Sequence, residues 1–178
     1  GRTPLHVAAM KNACFHVFEA ITEVNDGHSV GFLDETGNTP LHLLFAGFHT
    51  RRMDPDEAHA IVELLLDPFS ASFALRSNRA GSVPLHYACS APESMIHPNT
   101  VQQLLQAAPS CASRVNSKGQ TPLHLHCARR NASTSLARIL VEAYPLASHV
   151  LDYSSDRWSP LHYAASDLNQ ELIRFPVQ

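Results

Sequence analysis

The sequence is poor in charged residues, and neither sign dominates. Lys and Arg number 13 and Asp and Glu number 16 among its 178 residues, for a formal net charge of −3. Nucleic-acid-binding proteins use a basic surface to neutralise phosphates. The tightest basic clusters here are the pairs Arg51–Arg52 and Arg129–Arg130, which are expected to be solvated surface. We therefore expect no nucleic-acid partner.

Long apolar runs are lacking as well. A membrane-spanning helix needs roughly 20 apolar residues, whereas the best run, Ile61 to Leu66, is interrupted by Glu63. The start carries no basic-then-apolar leader that would mark secretion. Dispersed cysteines favour a reducing, intracellular (cytoplasmic or nuclear) setting; they are Cys14, Cys89, Cys111 and Cys127. The apolar content of 44% nevertheless indicates a folded protein.

A hexapeptide that recurs five times is the strongest feature of the sequence. It reads Gly-Arg-Thr-Pro-Leu-His at residues 1–6 and returns at 37–42, 81–86, 119–124 and, with less similarity, 157–162. A motif that repeats at intervals of roughly 20 to 50 residues is typical of a solenoid of stacked supersecondary units. The glycines fall mostly at one per repeat, and no glycine-rich phosphate-binding loop is present.

Each position of the hexapeptide has a structural interpretation. Thr or Ser stands where a helix N-cap belongs, and its hydroxyl is expected to accept from an unpaired backbone N–H. Proline suits the first helical position, leucine is expected to enter the core, His to hydrogen-bond the turn, and the preceding glycine to adopt positive φ. Val83 replaces the cap residue in the third copy, so that helix is expected to lose its cap, a cost of roughly 1 kcal/mol. The motif residues are Thr3, Pro4, Leu5, His6, Thr39, Pro40, Leu41, His42, Pro84, Leu85, His86, Thr121, Pro122, Leu123, His124, Ser159, Pro160, Leu161 and His162.

An apolar stripe at helical spacing follows each hexapeptide and predicts a second helix. In one of them, the sequence Asp54-Pro55-Asp56-Glu57 predicts an N-cap, a first-turn proline and a capping-box partner. Pro68, Pro109 and Pro145 are expected to close three of these helices, each before an extended loop to the next turn. The stripes are Phe15, Phe18 and Ile21; Ile61, Val62, Leu64, Leu65 and Leu66; Val101, Leu104 and Leu105; Leu136, Ile139, Leu140 and Val141; and Leu168, Leu172 and Ile173.

The hexapeptides resemble the Thr-Pro-Leu-His-x-Ala motif of ankyrin repeats, which are units of about 33 residues. The resemblance covers essentially the whole chain and implies an all-α, ankyrin-type helix-turn-helix solenoid with hairpin-like turns between units. Pro-x-x-Ala-Ser replaces the usual Gly-Ala-Asp-x-Asn, and the units are longer, so curvature and loop shape are expected to differ. We expect one array with units at about 1–36, 37–80, 81–118, 119–156 and, in part, 157–178. Because the chain opens inside a motif, it is expected to be a fragment of a longer array.

Two His/Cys pairs are the best candidates for chemistry. His86 and Cys89, and likewise His124 and Cys127, have residue types that bind zinc. They occupy equivalent columns of neighbouring units, however, and stacked helices lie about 8–10 Å apart, too far to share one ion or a disulfide. A catalytic pair would also need an orienting third group, which neither has in sequence. We expect no metal, no cofactor and no enzymatic activity.

The resemblance implies that a partner protein binds at the turns and first helices of the concave face. Trp158 is the most interesting candidate, because Trp and Arg are enriched at binding hot spots; the alternative is that it packs against a turn that lacks glycine. Other functions left open are a structural spacer and a regulatory module within a larger enzyme or channel. The candidate partner-binding residues are Arg2, Met10, Lys11, Asn38, Ser82, Lys118, Gln120, Arg129, Arg130 and Trp158.

Overall fold

A computed structural model of the chain describes residues 1–24, 28–47, 53–66 and 71–166. All regular secondary structure in these ranges is helical, which confirms the predicted all-α class. Arg51, Arg52, Pro68, Leu168, Leu172 and Ile173 lie outside them, and so does most of the loop between Gly47 and Met53. The α-helices in the described ranges are α1 (Pro4–Lys11), α2 (Phe15–Val24), α3 (Pro40–Gly47), α4 (Pro55–Leu65), α5 (Pro84–Ser90), α6 (Pro98–Ala107), α7 (Pro122–Cys127), α8 (Thr134–Ala143) and α9 (Pro160–Ser166).

The helices form two rows. Every odd-numbered helix begins at the proline of a hexapeptide, and these short helices pack in order, α1 on α3, α3 on α5, α5 on α7 and α7 on α9. The longer helices α2, α4, α6 and α8 pack in the same order as a second row. Each pair of helices buries one apolar face against the next pair, as a solenoid requires. We refer to the helix pairs, with the turns that precede them, as the first to fourth units, and to α9 with its turn as the fifth.

Side chains at the helix starts stabilise the second row. Asp54 Oδ1 accepts from the backbone N–H groups of Asp56 and Glu57, at 2.9 and 3.3 Å, as the sequence predicts for an N-cap. Glu57 was expected to reach back toward this cap. Its Oε1 instead accepts from the Phe15 N–H at 2.9 Å, so it caps α2 of the preceding unit. One carboxylate thus joins two neighbouring units.

The segments after the second helices differ from the extended loops that the sequence predicted. After α6 and α8, Pro109 and Pro145 each begin a short 3₁₀-helix, Pro109–Ser113 and Pro145–His149. The equivalent segments of the first two units, His28–Gly31 and Ala71–Leu75, are also 3₁₀-helical. Proline fits the first position of such a turn because its fixed φ is helical and no N–H is needed there. The alanine of the Ala-Ser pairs in the third and fourth units, Ala112 and Ala147, is buried under the turn.

The buried histidine of the hexapeptide links each unit to the next. In the second unit, His42 Nδ1 accepts from the Thr39 N–H at 3.1 Å, and its Nε2 lies 2.9 Å from the Ser82 carbonyl oxygen of the third unit. Since a backbone N–H can only donate, Nδ1 is the acceptor and Nε2 carries the proton that it donates to the carbonyl. The same bridge recurs in three other units, from His6 to the Asn38 oxygen at 2.9 Å, from His86 to Gln120 at 2.9 Å and from His124 to Trp158 at 3.2 Å.

The bridge also explains how the third unit tolerates valine at the cap position. Without a hydroxyl, the start of α5 was expected to be uncapped. The Val83 N–H nevertheless donates to His86 Nδ1 at 3.1 Å, the contact that the threonines make in the other units. The expected loss of stability is therefore limited to the contact of the missing hydroxyl. In the second unit, the Thr39 hydroxyl oxygen makes this contact, 2.8 Å from His42 Nδ1. Val83 is itself fully buried, so its methyl groups add apolar contact in exchange.

Burial keeps these imidazoles neutral. The side chains of His42 and His86 are fully buried. Burial lowers the pKa of each to about 4, because the charged form loses its hydration, and the hydrogen bond to a backbone carbonyl only partly offsets this effect. Burial lowers the pKa of His124 as well. The neutral Nε2–H form that the bridge needs is therefore the stable form at pH 7.

We predict that His86→Ala destabilises the array by about 3 kcal/mol, because it leaves the Val83 N–H unpaired, removes one of the two hydrogen bonds that the Gln120 carbonyl accepts, and opens a cavity. His162 provides a matched control. It is exposed in the last described helix, and its Nδ1 accepts from Ser159 within the same unit at 3.1 Å. His162→Ala should cost less than about 1 kcal/mol. Urea unfolding followed by circular dichroism compares the two, and equal losses would show that the bridge between units contributes nothing.

Stability should also fall as the pH drops below about 6.5, the pKa of histidine in the unfolded chain. Between that pH and about 4, the unfolded chain binds protons that His42 and His86 in the folded chain do not, so unfolding becomes easier. The free energy of unfolding falls by up to about 3 kcal/mol per histidine over this range. Asp152 contributes little in this window, because its pKa falls from 3.8 in the unfolded chain to about 2 in the folded protein and its contribution is lost mainly below pH 4. Urea midpoints measured from pH 7.5 to 4.5 test this expectation, and an unchanged midpoint would contradict it.

Candidate partner-binding surface

An Asp or Asn side chain builds the turn that precedes each of the odd-numbered helices after α1. In the third unit, Asn78 Oδ1 accepts from the N–H groups of Ala80 and Ser82, at 3.0 and 3.1 Å. Asp34, Asn116 and Asp152 make equivalent bonds in the other turns. This column of Asp and Asn residues was not predicted from the sequence. Its signal is an Asp or Asn three residues before the motif glycine in three turns, a residue type that favours such side-chain-to-backbone turns.

The last of these turns is held by an ionised carboxylate. Burial alone would raise the pKa of Asp152, but hydrogen bonds donated by Ser154, Tyr163 and the Trp158 N–H lower it to about 2. The Tyr163 hydroxyl donates to Asp152 Oδ2 at 2.7 Å. That hydroxyl also accepts from Gln120 Nε2, at 2.9 Å, and so links the fourth and fifth units.

Neighbouring turns are hydrogen-bonded to each other in a ladder. The Arg79 N–H donates to the Thr36 carbonyl at 3.0 Å, the Ser117 N–H to Ala80 at 2.8 Å and the Tyr153 N–H to Lys118 at 2.8 Å. The motif glycines of these turns, Gly37, Gly81 and Gly119, have φ of 79°, 71° and 74°, as the sequence predicted. Arg157 takes the place of glycine in the last turn, at φ 50°. The ladder sets the turns side by side along one edge of the first-helix row.

A groove of about 290 Å³ lies between the turns and first helices of the third and fourth units. The half-buried side chains of Tyr87 on α5 and Leu125 on α7 line it, as do Ser90 and the turn residues Lys118 and Gln120. Tyr87 is held in place because its hydroxyl accepts from Asn78 Nδ2 at 2.9 Å. The groove therefore has an aromatic and aliphatic floor and a polar edge with one ammonium group.

The structure brings three of the ten sequence-predicted residues together in this groove. They are Ser82, Lys118 and Gln120. Ser82 is buried, and its N–H and carbonyl bond to Asn78 and His42, so it contributes to the wall rather than to an exposed contact. Lys118 is exposed.

The other predicted residues are spread along the array. Arg2 is exposed, with Nε 4.0 Å from Asp34 Oδ2. Met10 is half-buried and Lys11 is exposed at the end of α1. Asn38 is half-buried, and its Oδ1 accepts from Asn78 Nδ2 at 2.8 Å. These four residues belong to the first two units, away from the groove.

Trp158 is half-buried at the fifth turn. Its ring lies 5.2 Å from the Tyr163 ring in an edge-on arrangement and 6.4 Å from the His162 ring, centroid to centroid. Arg129 is half-buried and Arg130 is exposed, just after the end of α7.

All ten residues remain predicted contacts. Tyr87, Ser90 and Leu125 were not predicted as lining residues, because a single sequence does not show which side of a short helix faces solvent.

Three of the four cysteines are buried and suited to packing, whereas Cys14 is exposed. Cys89 and Cys127 are buried in α5 and α7, in the column where α1 has Ala9, whereas Ala165 in α9 is exposed. Burial raises the pKa of Cys89, and it raises those of Cys111 and Cys127 to about 12, so their thiols stay protonated and weakly nucleophilic. In the described part of the chain, no group of three or more His, Cys, Asp or Glu side chains could hold a metal ion.

Comparison with known proteins agrees with this geometry. A family model described as "Ankyrin repeats (3 copies)" matches residues 93–175. The chain therefore contains ankyrin repeats. Three of its hexapeptides, at 1–6, 37–42 and 81–86, precede the matched region, and their histidines make the same contacts as His124 inside it. Ankyrin repeats are generally protein–protein interaction modules.

One curated relative of this ankyrin-repeat chain is Rabankyrin-5 from Mus musculus. The two are 27% identical over 176 residues, which is 98% of this chain. The chain spans about 13% of the length of that relative. Among the described residues, no helix is long and apolar enough to cross a membrane.

Proposed function

We propose that this ankyrin-repeat array is a non-enzymatic module that binds a partner protein through its turn and first-helix surface. The observation that carries the proposal is the groove between the third and fourth units. It combines an exposed cation, Lys118, with two half-buried apolar side chains, Tyr87 and Leu125. Tyrosine is one of the residue types that contribute most to protein binding when a partner covers it in a pocket, and an exposed charge helps to select the partner.

The rigidity of this surface supports the same proposal. Tyr87 and Gln120 are fixed by hydrogen bonds to Asn78 and Tyr163, and the two turns are bonded through Ser117 and Ala80. A surface that is already ordered loses little conformational entropy when a partner binds. The groove can thus contribute affinity even though it is small.

Three other functions are an enzyme, a structural spacer and a regulatory module. A nucleophilic role for Cys89 or Cys127 would need a thiolate, and burial raises the pKa of both thiols. A structural spacer would need no groove. The exposed Lys118 and the half-buried Leu125, which line the groove together, therefore favour a binding function over a spacer. A regulatory module within a larger enzyme or channel would use the same surface toward another domain. We propose that the module uses no cofactor, acts in an intracellular setting, and continues the five-unit organisation inferred from the hexapeptides into further repeats.

Affinity capture with surface variants tests the proposal. The chain, immobilised, is used as bait in an extract of its source cells beside two surface variants, Lys118→Ala with Leu125→Ala in the groove, and Trp158→Ala at the fifth turn. The control bait carries Gln102→Ala and Glu142→Ala, which change exposed residues of α6 and α8 in the second row. Circular dichroism confirms equal helix content. A protein retained by the unchanged and control baits and lost from one of the two surface variants is expected.

Two other outcomes would contradict the proposal. Equal recovery of the same protein on all four baits would place its binding site elsewhere on the array. If no protein is retained above the level of a blank resin by any bait, the spacer function is favoured. Mass spectrometry of the eluted proteins distinguishes these results.

A further inference from the structure

Positive charge is concentrated on the side of the molecule that carries the groove. The turn and first-helix segments of the third and fourth units, residues 78–91 and 116–132, contain no Asp or Glu. Their charged residues are Arg79, Lys118, Arg129 and Arg130. The second-row helices α2, α4, α6 and α8 show the opposite pattern, with Arg138 as their one basic residue; their acidic residues are Glu19, Glu23, Asp56, Glu57, Glu63 and Glu142. In a chain of net charge −3, this separation marks the groove side as a surface for an acidic partner.

Two of these cations stand on adjacent turns. The turns are bonded directly, Ser117 N–H to the Ala80 carbonyl, so the array holds the backbones of Arg79 and Lys118 close together despite their like charge. Both side chains are exposed, and neither forms a salt bridge with any residue that the structure describes. The exposed carboxylates nearest along the turn row, Glu35 and Asp156, belong to the second and fifth units. The positive stretch is therefore confined to the two units that form the groove.

The shape of the groove limits what can enter it. A volume of about 290 Å³ accommodates a few side chains rather than a folded surface. Lys118 precedes α7 and the exposed Arg130 follows it. The six residues of α7 rise about 9 Å in total at 1.5 Å per residue. Lys118 and Arg130 therefore lie beyond opposite ends of α7 in the chain. Tyr87 and Leu125 line the groove.

We propose that the groove binds an extended, acidic segment of a partner protein, in which an apolar side chain lies between two carboxylates. The apolar side chain contacts Tyr87 and Leu125, one carboxylate pairs with Lys118 and Arg79, and the other with Arg130. This inference rests on the proposed function and specifies the chemistry of its partner. Charge pairs of this kind determine which partner is selected and how fast it associates.

Peptide selection tests the inference without knowledge of the natural partner. A random peptide library displayed on phage is selected on the whole chain, and enriched sequences are synthesised with a fluorophore for anisotropy titrations. Acidic peptides with an apolar residue between the carboxylates are expected. The variant Arg79→Glu with Lys118→Glu should bind them about tenfold or more weakly. The control, Arg114→Glu with Arg138→Glu, changes the net charge equally at exposed positions outside the groove and should bind them unchanged.

A reciprocal experiment separates recognition from misfolding. Peptides whose Glu and Asp are replaced by Lys should bind the charge-reversed array more tightly than the unchanged array. Enriched peptides that are neutral or basic, or that bind the reversed and control arrays equally, would overturn the acidic-segment inference. If such peptides still lose binding to Lys118→Ala with Leu125→Ala, the proposed binding surface stands. If no enriched peptide is sensitive to that variant, both the inference and the surface are wrong.

Discussion

The architecture depends on one interaction, the imidazole that joins the cap of one helix to the backbone of the next unit. His42 accepts from Thr39 and donates to Ser82, and the neighbouring motif histidines repeat the pattern. The ring must be neutral and protonated at Nε2, which burial ensures by lowering the pKa. Because the carbonyl acceptors are turn residues, the bridges also position the turn ladder. The proposed binding surface is therefore built on the same bonds that hold the stack together.

Some polar side chains of the turns hydrogen-bond within the fold, and others remain exposed. Asn78 and Asp152 use their side chains to satisfy buried backbone N–H groups, and Gln120 links two units. These residues have little capacity left for a ligand. Arg79 and Lys118, on the same turns, contribute backbone bonds to the ladder while their side chains remain exposed. In such an array, the backbone of a turn stabilises the stack and the identity of its exposed side chains can specify the partner.

The fold could be predicted from the sequence because the hexapeptide is local: threonine, proline and histidine at fixed spacing specify a helix start whatever surrounds it. What the sequence did not show depends on contacts between units. Glu57 fits a capping box in its own helix, yet it caps Phe15 some 42 residues earlier. Val83 lacks a cap hydroxyl, and His86 still satisfies its N–H. Tyr87 and Leu125 follow the motif histidine directly, and only the packing of α5 and α7 shows that this position faces the groove.

The tautomer and charge of the motif histidines test the central claim most directly. Long-range ¹H–¹⁵N NMR spectra of the imidazoles report which ring nitrogen carries the proton, and a pH titration reports the pKa. The account predicts that His42 and His86 are protonated at Nε2 alone at pH 7 and stay neutral until the pH approaches about 4. Protonation at Nδ1, or titration near the ordinary pKa of about 6.5, would contradict it, because the bridge from each unit to the next would then not exist.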